Sequence, residues 1–198
     1  APYSNPYCSA SDPTRPFDYS RPIDNRGAGP APAIAERVVA LLDDARKAFK
    51  SGDYSGSLNL IDRVLTDIPN DSAVHQLRAL CLFALKRYDQ AAATLHAVLS
   101  VGPGWDWTTM ERLYPDVHVY TEQLRSLEAD RDEHPESAAP HFVLAYHYLT
   151  AGQIEAAEEE LKDAARLKPR DHLTGQLIVI VSPDAATPDV PPAPPPEP

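Results

Sequence analysis

The sequence is short of positive charge, of cysteine and of long apolar runs. Its 18 lysines and arginines stand against 29 aspartates and glutamates, a formal net charge of −11, which disfavours binding to phosphate backbones and anionic membrane surfaces. No run approaches the roughly 18 to 20 consecutive apolar residues that span a bilayer. The two cysteines form no CxxC, and no two histidines have HxxxH spacing, so a zinc site has no support. We therefore expect no nucleic-acid partner, no membrane insertion, and no metal or other cofactor.

Sequence signals for catalysis are missing as well. The segment Gly-Ala-Gly-Pro at 27–30 precedes a predicted helix but follows no strand, so it does not match a phosphate-binding loop. The acidic run at 155–163 is interleaved with Lys162, as is typical of a solvated helix face with i,i+4 pairs. No nucleophile lies at a recognisable spacing from a base. We predict that the chain is not an enzyme and has no catalytic residues.

Proline is abundant and unevenly placed, and its distribution divides the chain. Of the 21 prolines, six lie within residues 1–30 and eight within 183–198, which leaves seven for the 152 residues between. Because proline lacks an N–H and fixes φ, neither end is expected to form an autonomous helix or a central strand. We predict an extended arm at 1–31, a folded body at 32–171 and a proline-rich tail at 183–198.

The two ends also suggest a location. The chain begins with Ala1 and shows no charged-then-apolar leader, so a signal peptide has been removed or the sequence has been trimmed. The Ser/Thr/Pro/Tyr-rich arm and the proline-rich tail favour an exported protein. We predict an extracellular, cell-surface or periplasmic location.

The body carries an internal repeat. Pro69 and Pro103 are 34 residues apart, Pro103 and Pro135 are 32 apart, and Pro135 and Pro169 are again 34 apart. Four further pairs keep the 34-residue step: Tyr54 and Tyr88, Ser57 and Ala91, Ile61 and Leu95, and Val64 and Val98. Such a unit, made of two amphipathic helices and closed by proline, resembles the tetratricopeptide repeat (TPR) over roughly residues 38–171.

The resemblance implies an all-α solenoid of about four helix pairs. We predict helices near 32–51, 54–67, 72–85, 88–101, 106–114, 118–133, 138–151 and 154–167. The third unit departs from the family pattern, because Pro115 shortens its first helix and Glu111, Gln123 and Asp130 replace small residues. We expect that unit to be irregular.

In TPR proteins the first helices line a concave groove that binds peptides. The matching positions here are largely aromatic or apolar: Leu42, Arg46, Phe49, Gln76, Leu80, Phe83, Trp105, Arg112, Phe142, Tyr146 and Leu149. For each of these side chains, packing between helices is an equally good interpretation. The positions that match the chaperone-type carboxylate clamp hold Leu42, Arg46 and Leu77, so the resemblance does not extend to that clamp.

The arm is aromatic and electrically neutral, and it is similar to arms of exported bacterial TPR proteins. Its extended form lowers the entropy cost of docking, which favours a ligand for an apolar groove. The alternative is a disordered linker. The predicted docking residues are Tyr3, Tyr7, Phe17, Tyr19, Pro22 and Ile23.

Two features near the ends complete the predictions. The apolar, β-branched run Leu177, Ile178, Val179, Ile180 and Val181 favours a short strand within 172–182, which pairs with another strand or lies on the final helix as a cap. Cys8 and Cys81 form a disulfide if the compartment is oxidising. Alternatively, Cys81 is a small buried side chain facing the preceding repeat.

These features favour a non-enzymatic interaction protein, for which two hypotheses remain. In the first, the chain assembles with itself head to tail into an extracellular filament, with its arm in the groove of a neighbouring subunit. In the second, it is a monomeric exported adaptor that binds an extended peptide of another protein.

Overall fold

The computed structural model of the protein describes residues 2–8, 17–24 and 32–182. This part of the chain contains nine helices and no strand, which confirms the predicted all-α fold. The helices are α1 (Pro32–Lys50), α2 (Tyr54–Asp67), α3 (Ser72–Ala84), α4 (Tyr88–Leu99), α5 (Trp107–Glu111), α6 (Val117–Glu133), α7 (Ala138–Thr150), α8 (Ile154–Leu167) and α9 (His172–Val181). The first eight match the predicted helices in order. The predicted tail, 183–198, lies outside the described residues, as do residues 9–16 and 25–31 of the arm.

Three helix pairs are regular, and local sequence explains their turns. The residue that ends the tight turn after α1, α3 and α7 has a positive φ, which is 85° at Gly52, 58° at Lys86 and 74° at Gly152. Glycine adopts this left-handed conformation freely, whereas lysine adopts it at a cost. Asp53 then caps α2 by accepting a hydrogen bond from the backbone N–H of Gly56, which satisfies one of the free donors at the helix start.

The third unit breaks the regular order, as predicted. Its first helix, α5, has only five residues, and Pro115 follows shortly after it. The second helix, α6, is long. In a regular stack α4 would pack against the first helix of the third unit, but here it packs against α7, the first helix of the fourth unit. The α5–α6 segment is therefore displaced from the stack of helix pairs.

The displaced segment lies across the first helices of the other three pairs. The Tyr114 ring contacts Phe49 of α1, with ring centroids 5.1 Å apart. The Tyr120 ring lies 6.4 Å from that of Phe83 on α3 and 5.6 Å from that of His147 on α7. Burial of these aromatic rings holds α6 in place.

A buried ionic cluster fixes the other end of α6. The Glu160 carboxylate of α8 pairs with the Arg131 guanidinium of α6 and accepts a hydrogen bond from His141 Nδ1 of α7 at 2.6 Å. Glu160 and His141 are both buried. Since one carboxylate joins three helices, this cluster ties the displaced segment to the last helix pair.

The predicted strand at 172–182 is wrong, because residues His172–Val181 form α9. The Asp171 carboxylate caps this helix by accepting from the backbone N–H groups of Leu173 and Thr174. It also accepts from the Thr174 hydroxyl at 2.6 Å. The cap and packing against α8 override the β-propensity of Leu177, Ile178, Val179, Ile180 and Val181. A final helix therefore covers the end of the solenoid.

The predicted disulfide is also wrong, because no disulfide joins Cys8 and Cys81 in the structure. Cys81 is buried in α3, and its thiol donates to the Ser57 hydroxyl of α2 at 3.3 Å. Burial raises the pKa of this thiol to about 12, so it stays protonated and unreactive. The alternative prediction, a small buried side chain facing the preceding repeat, describes Cys81 correctly.

Among the described helices, none combines the length and the apolar character needed to cross a bilayer.

Candidate functional site

The predicted groove is largely filled by the chain itself. Six of its residues are buried, namely Phe49, Gln76, Leu80, Phe83, Phe142 and Tyr146. The rings of Tyr114 and Tyr120 cover Phe49 and Phe83. Five groove residues remain at least partly exposed: Leu42, Arg46, Trp105, Arg112 and Leu149. The groove is thus reduced to the region that α6 leaves uncovered.

The loop before α5 is fixed over the filled part of the groove. The Trp105 backbone N–H donates to the Gln76 side-chain oxygen at 2.7 Å. A Cβ on Gly104 would meet the Tyr146 ring at 2.6 Å, so only glycine allows the backbone to approach this ring so closely. These contacts fix the position of the Trp105 side chain at the edge of the open region.

The open region is a cleft of about 390 Å³ between α1, α3 and the α5 segment. Most of its lining is apolar, and two arginines contribute to it. The lining residues are Leu42, Arg46, Asp71, Ala73, Val74, Leu77, Trp105, Thr109, Arg112 and Leu113. We call this space the open cleft.

The arginines of the open cleft are available to a ligand. The Arg46 guanidinium lies 3.4 Å from the Asp43 carboxylate in a solvent-exposed pair, which contributes little. Within the described residues, the exposed Arg112 side chain forms no hydrogen bond or ion pair, although its charge helps to lower the pKa of the exposed Asp106 carboxylate. The Asp71 carboxylate, by contrast, is engaged as the cap of α3, where it accepts from the Val74 N–H at 3.0 Å.

The arm docks on the same chain, on a surface other than the groove. In its first segment the Asn5 amide donates to the Ala93 carbonyl of α4 at 2.8 Å. The rings of Tyr3 and Tyr7 pack against His96, with centroids 6.0 and 5.9 Å away, and Tyr7 also contacts Phe142. Asn5 and Tyr7 are both buried, so this segment is part of the core.

The second arm segment inserts Tyr19 beside α3. The Tyr19 hydroxyl lies 2.8 Å from His75 Nδ1, and the other ring nitrogen of His75 lies 2.8 Å from the Pro69 carbonyl oxygen. The Arg78 guanidinium lies 5.5 Å from the Phe17 ring centroid and 5.6 Å from that of Tyr19, which is within cation–π range. Tyr19 and Ile23 are buried, whereas Pro22 is exposed.

Two faces of α3 therefore contact different segments of the chain. At 100° per residue, His75 and Arg78 lie on the side of α3 away from Gln76, Leu80 and Phe83. The arm covers the first side, which we call the arm face, and α6 covers much of the second, the groove face. Among the predicted groove residues, Phe142 contacts the described arm. Apart from this contact, the described arm segments lie against the arm face of α3 and against Ala93 and His96 of α4, and not against the groove face.

The arm face depends on polar residues that sequence reasoning missed. Arg78 donates to the Asp62 carboxylate of α2 at 2.8 Å and to the Thr94 hydroxyl of α4 at 3.3 Å. His96 pairs with the buried Asp171 carboxylate at 3.0 Å. The signal that would have found them is the presence of His and Arg at interior positions of otherwise apolar helices.

Burial governs the protonation of these groups. Burial lowers the pKa of His75, although its hydrogen bond to the Pro69 carbonyl opposes this effect. Burial raises the pKa of Asp171, but hydrogen bonds from His96 and Thr174 outweigh it, and the pKa lies below its usual value. On α7, where His147 packs against Phe83, burial lowers the pKa of His147 to about 3, so this imidazole stays neutral above that pH.

The part of the chain that the structure describes contains no group of three or more His, Cys, Asp or Glu side chains placed to hold a metal ion. The polar clusters on both faces of α3 connect helices or hold the arm.

Comparison with family models supports the repeat architecture in the first half of the chain. The family model for the tetratricopeptide repeat matches residues 39–106, a stretch that runs from within α1 through α4 to the loop before α5. No curated protein matches the sequence significantly. Among solved structures, the chain is similar to the first TPR of Spaghetti (RPAP3), bound to the HSP90 peptide SRMEEVD. The identity is 13%, the TM-score is 0.35, and the alignment covers 77% of this chain and 95% of that one.

Proposed function

We propose that the chain is an interaction module that binds an extended segment of another protein in the open cleft. The observation that supports this best is the cleft itself, a mostly apolar space of about 390 Å³ with two arginines in its lining, in a chain of net charge −11. The match of residues 39–106 to the tetratricopeptide repeat supports the same proposal, because such solenoids use their concave side for binding.

The lining defines the chemistry of the ligand. The Trp105 indole and the aliphatic side chains of Leu42, Val74 and Leu77 favour apolar or proline side chains. Arg46 and Arg112 favour carboxylates, because guanidinium groups donate to carboxylate oxygens in a planar, bidentate geometry. We therefore expect an extended acidic peptide with apolar anchors.

Tryptophan fluorescence tests this proposal, because the chain contains two tryptophans and only Trp105 lines the open cleft. In the variant Trp107→Phe, Trp105 becomes the sole reporter, and an aromatic ring still faces Tyr120. Short blocked peptides that alternate proline or leucine with glutamate should shift the Trp105 emission saturably. The same peptides with lysine in place of glutamate should bind about fivefold or more weakly, as expected for exposed charge pairs of up to ~1 kcal/mol.

A pair of charge reversals separates cleft binding from general attraction. Arg112→Glu should remove the preference for the acidic peptides, whereas Arg63→Glu, an exposed position on α2 outside the cleft, should leave it unchanged. Equal effects of the two variants, or no saturable shift with either peptide series, would contradict the proposal.

Self-assembly into an extracellular filament is the second candidate. The observation that favours it is that the arm is held by inserted side chains, among them Tyr7, Tyr19 and Ile23. The arm face of a second copy would accept the same side chains, so arms can exchange between subunits without any new contact. This version places the arm on a neighbour's arm face and not in its groove.

Negative-stain electron microscopy of the purified chain tests the second candidate. Filaments with a regular subunit repeat that disappear in Tyr19→Asp and after deletion of residues 1–24 would support it. Discrete particles at high concentration would contradict it and leave the arm as an intramolecular cover. Export from the cell is part of both candidates and stays a prediction.

A further inference from the structure

The segment 183–198 carries negative charge, as does the body of the protein. It contains Asp184, Asp189 and Glu197 and no lysine or arginine, so the preceding residues carry −11 − (−3) = −8. An acidic segment joined to an acidic body is repelled by most of its surface. The open cleft is a local exception, because Arg46 and Arg112 outnumber the one carboxylate of its lining, that of Asp71. The neighbours of the two arginines are the exposed carboxylates of Asp43 and Asp106, and exposed pairs contribute little.

The composition of this segment also suits the lining of the cleft. Eight of its 16 residues are proline, which predisposes a chain to the polyproline II conformation and lowers the entropy lost on docking. Proline-rich segments are recognised by grooves with aromatic walls. In the open cleft Trp105 supplies such a wall beside leucine and valine side chains.

The extended length of the segment is comparable with the diameter of a compact chain of this size. The segment follows α9 and Ser182, at the end of the solenoid. In polyproline II, 16 residues extend about 50 Å, at ~3.1 Å per residue. A compact chain of this length has a radius of gyration of about 16 Å and hence a diameter of roughly 40 Å. A tethered segment of sufficient reach has a local concentration in the millimolar range, which favours its own cleft over that of a second copy.

From charge, composition and length together we propose that residues 183–198 occupy the open cleft of the same chain and compete there with acidic peptides of other proteins. This inference rests on the proposed peptide-binding function and names an internal competitor for it. The segment acts as a weak autoinhibitor: a foreign ligand must displace it, so the apparent affinity falls by the fraction of clefts that are occupied.

The experiment uses the full chain with Trp107→Phe, so that Trp105 reports on the cleft. The triple variant Asp184→Asn, Asp189→Asn and Glu197→Gln removes the negative charge of the segment. Its Trp105 emission should move to longer wavelength as water replaces the segment, and the glutamate probe peptides should bind about five- to tenfold more tightly. Added free peptide of sequence 183–198 should reverse the emission shift.

A matched control carries the same change of charge elsewhere. Glu133→Gln, Glu136→Gln and Glu159→Gln alter three exposed carboxylates that lie outside the cleft, and this variant should behave like the parent. Equal effects of the two triple variants would show a general charge effect and overturn the inference.

The remaining outcomes separate this inference from the proposed function. If the probe peptides bind the parent and the segment variant equally well, the cleft is a binding site but the segment is not its occupant. If the probe peptides bind neither chain, the proposed function and the inference both fail. If the emission difference depends on protein concentration, the segment binds a second copy, and intramolecular docking is overturned.

Discussion

The regular helix pairs and the displaced α5–α6 segment share one repeat period but have opposite roles. In the regular pairs, each second helix packs beside the next unit, and the first helices present a groove. In the third unit, α5 has only five residues, and Tyr114 and Tyr120 bury the aromatic residues of that groove. Where regular pairs would form a continuous groove, the shortened third unit therefore leaves a filled core and the open cleft. Solenoid binding surfaces can thus be changed by an irregular repeat without loss of the stack.

The prediction with the largest expected effect concerns Tyr120, whose buried ring holds α6 in place. Tyr120→Ala should lower the free energy of unfolding by about 3–5 kcal/mol, as for other buried aromatic side chains. Tyr120 is only 4% exposed, and its ring contacts four others, those of Phe83, Trp107, Tyr114 and His147. Chemical denaturation measures the change. Val117→Ala on the same helix, where the side chain is 44% exposed, should cost less than about 0.5 kcal/mol. Similar losses in both variants would show that α6 is not held by this cluster.

The second test concerns the close approach that fixes Trp105. Gly104→Ala places a Cβ at 2.6 Å from the Tyr146 ring and should cost about 1–3 kcal/mol, as overpacking does. The variant should also alter peptide binding in the open cleft. Gly102→Ala, two residues earlier and with no atom within 4 Å of the new Cβ, is the matched control. A neutral effect at Gly104 would mean that the loop shifts without cost.

The third test measures how the free energy of unfolding depends on pH, because the core contains a buried histidine. The pKa of His147 is about 3 in the folded chain and roughly 6.5 in an unfolded one, so the unfolded state binds the proton first. The contribution of buried, neutral His147 to the free energy of unfolding is fully present above about pH 6.5. It is lost as the pH falls from 6.5 towards 3. Between pH 7 and pH 5 this loss should be roughly 2 kcal/mol.

His147→Phe should reduce that pH dependence by about the same amount, since the ring keeps its stacking on Phe83 but cannot titrate. Denaturant unfolding at pH 7 and pH 5 measures the difference between the two chains. Val179→Ala, an exposed position on α9 without a titratable group, should leave the dependence unchanged. His75 also has a pKa below its usual value and accounts for part of the slope that remains.

The smallest test lies in the regular pairs. Lys86 has a φ of 58° where the equivalent turns have Gly52 and Gly152. Lys86→Gly should raise the free energy of unfolding by about 0.5–1 kcal/mol, because the left-handed strain exceeds the entropy cost of glycine. Lys50→Gly, in the last turn of α1, should be destabilising. Thermal or denaturant unfolding distinguishes the expected stabilisation by Lys86→Gly from the expected destabilisation by Lys50→Gly.

Features that depend on residues close together in the sequence could be predicted, whereas features that depend on distant residues could not. Eight helices follow from the 34-residue step, the apolar periodicity and the proline positions. The irregular third unit follows from Pro115 and from the polar residues at 111, 123 and 130. The prediction failed at α9, where an apolar β-branched run indicated a strand and the Asp171 cap with packing on α8 produced a helix. Short runs of this kind carry no periodicity that separates the two.

The candidate site was predicted in part. Leu42, Arg46, Trp105 and Arg112 were named as groove residues and do line the open cleft. By contrast, Phe49 and Phe83 are buried and contact the rings of Tyr114 and Tyr120. The aromatic arm residues Tyr7 and Tyr19 were named as docking residues, but their partners His75, Arg78 and His96 were not. No local pattern indicates a contact between segments more than 50 residues apart.

By itself the sequence determined the helix pairs, their turns and the aromatic character of the arm, because caps, prolines, glycines and amphipathic periodicity act over a few residues. Only the tertiary structure decided that the arm covers one face of α3, that α6 fills the other, and that α9 is a helix. Those outcomes depend on the total apolar area buried and on buried polar groups such as Arg78 and Asp171 finding partners on distant helices. The free energy of such contacts belongs to the assembled core and to no single segment of the chain.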